Sequence, residues 1–212
     1  MPHSEDPQAP AEQRLAELGV SRELFRKVLK GAAVEVSGCT EFDAPAAPGF
    51  IFWSRANRFL AEELVPSDWK WTSRDSILRV IHPSGSHAIT AISADGGVGD
   101  LEATVRSKNP KGKAMARLVE KNGQFSLMTR DEVLFGRELD QMPTWCLLYK
   151  RTRGGTVAEL SLPVKMNGKY VNEWQERIPV DLPDLGDPGV DVSLLDDPGP
   201  DDEGPEVIVE MR

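Results

Sequence analysis

Residues 145–162 read WCLLYKRTRGGTVAELSL, and this stretch decides the fold class. Two runs rich in apolar residues, Trp145–Arg151 and Thr156–Leu162, flank the pair Gly154-Gly155. Paired glycines between two such runs are typical of a tight turn, because glycine adopts the positive φ that a two-residue hairpin turn needs. The stretch therefore predicts a β-hairpin.

A third strand is predicted to follow this hairpin at Tyr170–Val180. Alternate side chains of a strand point to the same face of the sheet. We therefore expect Tyr170, Trp174 and Ile178 to share one face. Together the three strands make one β-meander.

A second group of strands is predicted earlier in the chain. Ile77–His82 and His87–Ala94 are rich in β-branched residues, and they flank Pro83–Ser86, a run of residues typical of turns. A short strand at Trp69–Thr72 precedes them. The sequence leaves open whether the two groups form one sheet or two.

Four helices are predicted from apolar residues at three- and four-residue spacing and from residues typical of helix ends. They are 11–18, 22–36 after the cap Ser21, 54–64 after the cap Ser54, and a fourth from Asn109-Pro110 to about Lys121, closed by Asn122-Gly123. Thr40–Gly49 contains two prolines and is predicted to be a loop. Helices packed on antiparallel β-meanders make an α+β fold.

The net charge of −9 is concentrated at the C-terminal end of the chain. Residues 181–212 hold eleven acids and one arginine, a net −10, so residues 1–180 carry only +1. Prolines and glycines are interspersed among these acids, which disfavours a packed element. We therefore predict a disordered N-terminus at 1–10, a single α+β domain at 11–180 and a disordered acidic tail at 181–212.

No segment of the sequence predicts secretion or membrane insertion. The first ten residues are polar and lack the apolar run of a signal peptide. The most apolar stretch, Gly49–Trp53, is far shorter than the ~20 residues that span a bilayer. We expect a cytoplasmic protein with no membrane partner, in which Cys39 and Cys146 stay reduced.

A basic segment is the clearest functional signal. Arg106–Arg130 contains seven lysines and arginines and one acid. Four of the cations precede or open the fourth predicted helix, where they oppose the positive end of the helix dipole unless an anion is bound. Such an anion would be a nucleic-acid phosphate, a nucleotide or the acidic tail, and the alternative is a solvated basic face. No aromatic residues are interleaved to stack on bases. The predicted anion- or nucleic-acid-binding residues are Arg106, Lys108, Lys111, Lys113 and Arg117.

Histidines and cysteines suggest a weaker alternative. His82 and His87 flank the same predicted turn, but a closed zinc site needs about four ligands and the usual cysteine and histidine motifs are missing. We therefore predict no metal and no cofactor. Cys39 paired with His82 or His87 would make a thiol–imidazole couple of the kind used in nucleophilic catalysis.

The glycine-rich run Asp95–Asp100 is predicted to be a flexible turn. Phosphate-binding loops open directly onto a helix, so that backbone N–H groups and the helix terminus meet the phosphate. Here about ten residues separate the glycines from the fourth predicted helix, and two aspartates flank them. Both features disfavour a bound phosphate.

The chain contains five tryptophans, which is many for its length. Trp69 and Trp71 are expected to share one face of a strand. Packing in the core is the expected role of the five, and an exposed aromatic patch for a partner is the alternative.

The second meander resembles a group of uncharacterised bacterial proteins encoded on prophages, plasmids and other integrating elements. The resemblance covers about residues 54–180. It implies a setting on mobile DNA in a bacterium, and it implies no activity, cofactor or site residue. The residues that carry it are Trp145–Tyr149, Ala158–Pro163, Trp174, Arg177-Ile178-Pro179 and the predicted helix start Lys108–Gly112.

Three functions remain at this point. The leading hypothesis is a non-catalytic binding protein that contacts nucleic acid, or a nucleic-acid-processing partner, through the basic segment, with the acidic tail competing for the same surface. The first alternative is a protein-interaction module whose tail mimics DNA and blocks a DNA-binding protein. The second is a small hydrolase or thiol enzyme that uses Cys39, His82 and His87.

Overall fold

The computed structural model describes residues 9–125 and 142–182, and it confirms the α+β class. Most of 1–10 and nearly all of 181–212 lie outside these ranges, although Ala9 and Pro10 open the first helix. The helices are α1 (Ala9–Glu17), α2 (Arg22–Val36), α3 (Ala47–Leu64) and α4 (Lys113–Phe125). The strands are β1 (Lys70–Thr72), β2 (Arg79–Ile81), β3 (Ala88–Gly96), β4 (Val105–Ser107), β5 (Thr144–Thr152), β6 (Gly155–Asn167) and β7 (Tyr170–Val180).

The two predicted groups of strands form one sheet. Its order within the described residues is β1-β2-β3-β5-β6-β7, with β4 paired to the end of β3. The strands β3 and β5 run parallel and pair from Ala88↔Thr144 to Ser93↔Tyr149, and all other pairings are antiparallel. Parallel neighbours need a crossover connection, and the segment between β3 and β5 that contains β4 and α4 provides it.

Each face of the sheet carries its own hydrophobic core. Helices α1, α2 and α3 cover one face, and α4, β4 and the loop after β3 cover the other. None of the helices in the described ranges is long and apolar enough to cross a membrane. The sheet contributes Val80, Ile89, Ala91, Leu147, Tyr149 and Leu160 to the first core, and Ile92, Cys146, Leu148 and Val171 to the second.

A buried asparagine fastens α3 to the sheet. The Asn57 side chain donates to the carbonyl oxygen of Ala91 at 2.9 Å and accepts from the Ala91 N–H at 3.0 Å, so it satisfies backbone groups at the edge of β3 as a neighbouring strand would. Unpaired buried backbone groups are costly, and this contact therefore sets the position of α3 along β3.

A second asparagine fastens α4 in the same way. Asn122 accepts from the Thr144 N–H and donates to the carbonyl oxygens of Thr144 and Pro163, all within 2.9 Å. The prediction that Asn122-Gly123 closes the helix is wrong, because both residues lie inside it. A Cβ at Gly123 would come within 2.9 Å of the Val164 carbonyl oxygen, so glycine allows α4 to approach β6 closely.

The helix starts test the capping predictions. Ser21 caps α2 as expected, because its hydroxyl accepts from the Leu24 N–H at 3.2 Å. The start of α3 was predicted too late: Pro48 lies in its first turn, where proline is tolerated, and Ser54 lies inside the helix. The start of α4 was predicted too early, because Lys111 donates its backbone N–H to the carbonyl oxygen of Lys169 instead of opening the helix.

The expected common face of Tyr170, Trp174 and Ile178 is wrong. The register between β6 and β7 shifts between Leu162 and Met166, and such irregularities interrupt the alternation of side chains. As a result Trp174 packs on the core under α4, whereas Ile178 packs on the core under α1 to α3.

Trp69 and Trp71, which were expected to share one face of a strand, differ in their exposure to solvent. Trp69 is buried and precedes β1, whereas Trp71 lies within β1 and is 59% exposed. Asp68, just before Trp69, has a φ of 65°, so the backbone turns there and the strand begins only at Lys70.

A buried ion pair holds the glycine-rich loop that was expected to be a flexible turn. Glu159 is fully buried and bonds Arg177 at 2.7 Å, and its other contacts are the Ser161 hydroxyl and the Gly99 N–H. The guanidinium of Arg177 spans the loop by donating to several carbonyl oxygens. These belong to Gly97 at 3.2 Å, Asp100 at 2.9 Å and Ala103 at 2.7 Å.

We predict that Glu159→Gln lowers the free energy of unfolding by about 3 to 5 kcal/mol, because it removes one partner of a buried ion pair and leaves Arg177 uncompensated. The matched control is Glu173→Gln, which breaks the exposed pair with Lys165 and should cost at most about 1 kcal/mol. Urea denaturation monitored by tryptophan fluorescence measures both. Equal losses in the two variants would contradict this role of Glu159.

Candidate anion-binding site

The predicted basic segment begins on β4, a strand that the sequence analysis did not predict and that carries Arg106. Two hydrogen bonds place β4 against the start of β7. The Trp174 indole N–H donates to the Val105 carbonyl oxygen at 3.0 Å, and the Val171 N–H donates to the Ser107 hydroxyl at 3.2 Å. Arg106, between these two contacts, is exposed.

The turn between β6 and β7 adds two residues that sequence reasoning missed. The Lys111 N–H donates to the Lys169 carbonyl oxygen at 2.7 Å, and the Arg106 guanidinium carbon lies 5.0 Å from the Tyr170 ring centroid. Lys169 carried no signal in the sequence beyond its charge, because it lies far from the basic segment along the chain. We call Arg106, Lys108, Lys111, Lys113 and Lys169 the basic cluster.

Four of the five residues of the cluster have no described carboxylate close to their charged groups. Among the residues that the structure describes, no carboxylate oxygen lies within 4.0 Å of the charged groups of Arg106, Lys111, Lys113 or Lys169. Several arginines elsewhere do have such partners, as in the pair Arg14–Glu176 at 2.6 Å. Arg106, Lys111, Lys113 and Lys169 therefore have no ion-pair partner among the described residues, although Asp95 is the cross-strand neighbour of Arg106.

Burial acts against the positive charge of the cluster at Lys111, because it disfavours the charged ammonium. The side chain is half-buried, and this burial lowers the pKa of the Lys111 ammonium below its ordinary value. A bound anion would favour the charged form of Lys111, and the charged ammonium would in turn strengthen binding of the anion. The first turn of α4, which begins at Lys113, contains no acid that would neutralise its free N–H groups.

Arg117 differs from the other predicted site residues. It lies one turn after Lys113 on α4, and its guanidinium pairs with the Asp75 carboxylate at 3.0 Å. Asp75 belongs to a short 3₁₀ turn between β1 and β2, away from the turn that carries Lys169. The structure brings Arg106, Lys111 and Lys169 together, and it gives Arg117 a partner of its own.

The glycine-rich loop offers no place for a phosphate. Its backbone N–H groups at Gly97, Asp100 and Ala103 bond carbonyl oxygens within the same hairpin. The Gly99 N–H is taken by the Glu159 carboxylate, which occupies the position that a phosphate would need. This agrees with the prediction that the run is not a phosphate-binding loop.

The two histidines form a contact between α1 and the β2–β3 hairpin. Their rings stack with centroids 4.9 Å apart, and Trp69 packs edge-on against both. His87 also bonds the Leu18 carbonyl oxygen through Nε2 at 3.2 Å. Within residues 9–125 and 142–182, no group of three or more His, Cys, Asp or Glu side chains is placed to hold a metal ion.

The structure does not join Cys39 to these histidines. Cys39 lies after α2, near Asp43 and near Arg151 at the C-terminal end of β5, whereas His87 precedes β3 at the opposite end of the sheet. Burial, with a smaller contribution from Asp43, raises the pKa of the Cys39 thiol, and burial raises that of Cys146 to about 12. Both thiols are therefore poorly suited to act as nucleophiles.

Comparison of the chain with protein-family models, with curated proteins and with solved structures gave no match. The resemblance to bacterial proteins of mobile elements therefore stays a prediction. The proposal of function rests on the geometry and charge of the described residues.

A pH effect on stability follows from the histidine contact. Burial holds the pKa of His82 below its usual 6.5, so the unfolded chain binds a proton more readily than the folded chain. By linkage, the contribution of His82 to the free energy of unfolding is fully present above about pH 6.5 and is lost as the pH falls through the lowered pKa of the folded state. We predict a smaller fall in His82→Gln when urea denaturation is compared at about pH 7.5 and about pH 5.5. An identical fall in the variant would contradict the prediction.

Proposed function

We propose that the chain is a non-catalytic binding protein that contacts the phosphates of nucleic acid through the basic cluster. The observation that carries this proposal is that Lys169, distant in the chain, lies next to the basic segment: its carbonyl oxygen accepts the Lys111 N–H, and Arg106 packs over the adjacent Tyr170. No described carboxylate lies within 4.0 Å of the charged groups of Arg106, Lys111 and Lys169. The regularly spaced phosphates of a nucleic-acid backbone can contact several exposed cations at once.

The geometry of the cluster favours a polymer over a small anion. Arg106, Lys113 and Lys169 are exposed, and they lie on a strand, a helix start and a turn instead of lining an enclosed cavity. Such a surface contacts successive phosphates along a backbone. Arginine adds paired N–H donors that suit phosphate oxygens.

The acidic tail is the competitor in this proposal. The structure describes the chain up to Leu182, two residues after the end of β7 at Val180. Val180 lies about 35 Å along the strand from Tyr170, the first residue of β7. Residues 183–212 would have an end-to-end distance of roughly 30 Å as a flexible chain, with a longer reach when extended. A tail of net negative charge can therefore reach the basic cluster and compete with phosphate.

We predict that deleting residues 183–212 strengthens binding to DNA or RNA, because the deletion removes the competing acids but keeps Leu182. Affinity should fall about 100-fold or more between 50 and 200 mM salt if about four phosphates are contacted. Fluorescence anisotropy with labelled oligonucleotides measures both effects. If the truncated chain retains neither polymer in a salt-dependent way, the proposed function is wrong.

Charge reversal tests the surface itself. Arg106→Glu and Lys113→Glu should each weaken binding. Each should also reduce the slope of log affinity against log salt concentration by about one, since about one ion fewer is released on binding. The matched control is Arg153→Glu, which makes the same charge change at an exposed position in the β5–β6 turn. An equal loss in the control would mean that net charge, not the basic cluster, governs binding.

The first alternative predicts the opposite effect of the truncation. If the tail mimics DNA and blocks a DNA-binding protein, removing residues 183–212 abolishes capture of that partner and leaves nucleic-acid binding absent. The second alternative, an enzyme built on Cys39, His82 and His87, has no support in the geometry, since the thiol and the imidazoles lie at opposite ends of the sheet.

A further inference from the structure

Two aromatic side chains near the start of α3 are exposed. Phe50 is 64% exposed and Trp53 36% exposed, and their ring centroids lie 5.7 Å apart at an angle of 48°. Large apolar side chains left in water forgo the stabilisation of burial. An exposed aromatic pair on an otherwise polar helix surface is typical of a binding surface.

The edge of β3 connects this aromatic pair to the basic cluster. Asn57 donates to the carbonyl oxygens of both Trp53 and Ala91. Ser93, about 7 Å further along the strand, accepts the Lys108 N–H at 3.0 Å. Alternate residues of a strand direct their backbone groups to the same edge, so Asn57 and Lys108 bond neighbouring positions on one edge of β3. Trp53 lies one turn before Asn57 on α3.

A third aromatic ring lies against the cluster itself. Tyr170 is half-buried beneath Arg106, with 5.0 Å between the guanidinium carbon and the ring centroid. Tyr170 therefore places one ring against Arg106, while Trp53 lies one helical turn before Asn57, which bonds the edge of β3 two residues from the partner of Lys108. Rings stack on the faces of bases, while the cations contact phosphates.

We infer that the ligand of this surface is a single-stranded nucleic acid, whose bases stack on Phe50 and Trp53 while its phosphates contact the basic cluster. This inference rests on the proposed function and adds the class of nucleic acid to it. A duplex hides the faces of its bases in the stack, so it can use only the cations. A single strand presents phosphates and base faces together.

The test compares a labelled 20-nucleotide oligo(dT) with a labelled 20-base-pair duplex, each titrated with the full-length chain in fluorescence anisotropy at one low salt concentration. The variant is the double substitution Phe50→Ala and Trp53→Ala. It should weaken single-strand binding about 10- to 100-fold, because stacking of one base on an aromatic side chain contributes that much, and it should change duplex binding less than about twofold.

Two other exposed aromatic side chains serve as matched controls. Phe42→Ala removes a phenylalanine that is 90% exposed in the loop between α2 and α3, and Trp71→Ala removes a tryptophan that is 59% exposed on β1. Neither should change single-strand affinity. Thermal denaturation of each variant reports whether the fold is retained.

The outcomes separate this inference from the proposed function. If Arg106→Glu weakens binding but loss of Phe50 and Trp53 does not, or if the controls weaken it equally, the single-strand inference is wrong and the proposed function stands. If charge reversal has no effect on either polymer, the proposed function fails. If light scattering shows a dimer that the double variant dissociates, a second copy of the chain covers the pair and the inference is overturned.

Discussion

The parallel pairing of β3 with β5 is the constraint on which the rest of the structure depends. Six residue pairs, from Ala88↔Thr144 to Ser93↔Tyr149, join two meanders that would otherwise be separate small sheets. Parallel strands require the chain to cross one face of the sheet between them. That crossover carries β4 and α4, and it thereby brings the basic segment against the start of β7.

Buried polar contacts, more than apolar packing, determine where the crossover lies. Glu159 and Arg177 hold its first loop, and Asn122 fastens its helix to the backbone of β5 and β6. Apolar packing tolerates small shifts, whereas a buried charge or amide is stable only when every partner is in place. These contacts fix β4 and α4 firmly enough to present Arg106, Lys111 and Lys113 as one surface.

Much of the fold and part of the site could be predicted from the sequence. The hairpin of β5 and β6, the bounds of β7 and the Ser21 cap were predicted because each depends on residues close together in the chain. The start of α3 was missed because Pro48 was taken to exclude a helix that it in fact opens. The candidate site was predicted from charge and from its place at a predicted helix start, so Lys169 and Tyr170, which are distant in the chain, were missed. The prediction also included Arg117, which pairs with Asp75.

The sequence by itself determined the α+β class, the pattern of the hairpins and the division between a nearly neutral body and an acidic tail. Periodicity, turn residues and charge are local properties, and neighbouring residues suffice to express them. Only the tertiary structure decided that the strands form one mixed sheet and that Arg106 meets Tyr170. It also placed Asn57 and Lys108 at neighbouring positions on the edge of β3. These contacts join segments that are distant in the chain, so they leave no periodic pattern among neighbouring residues.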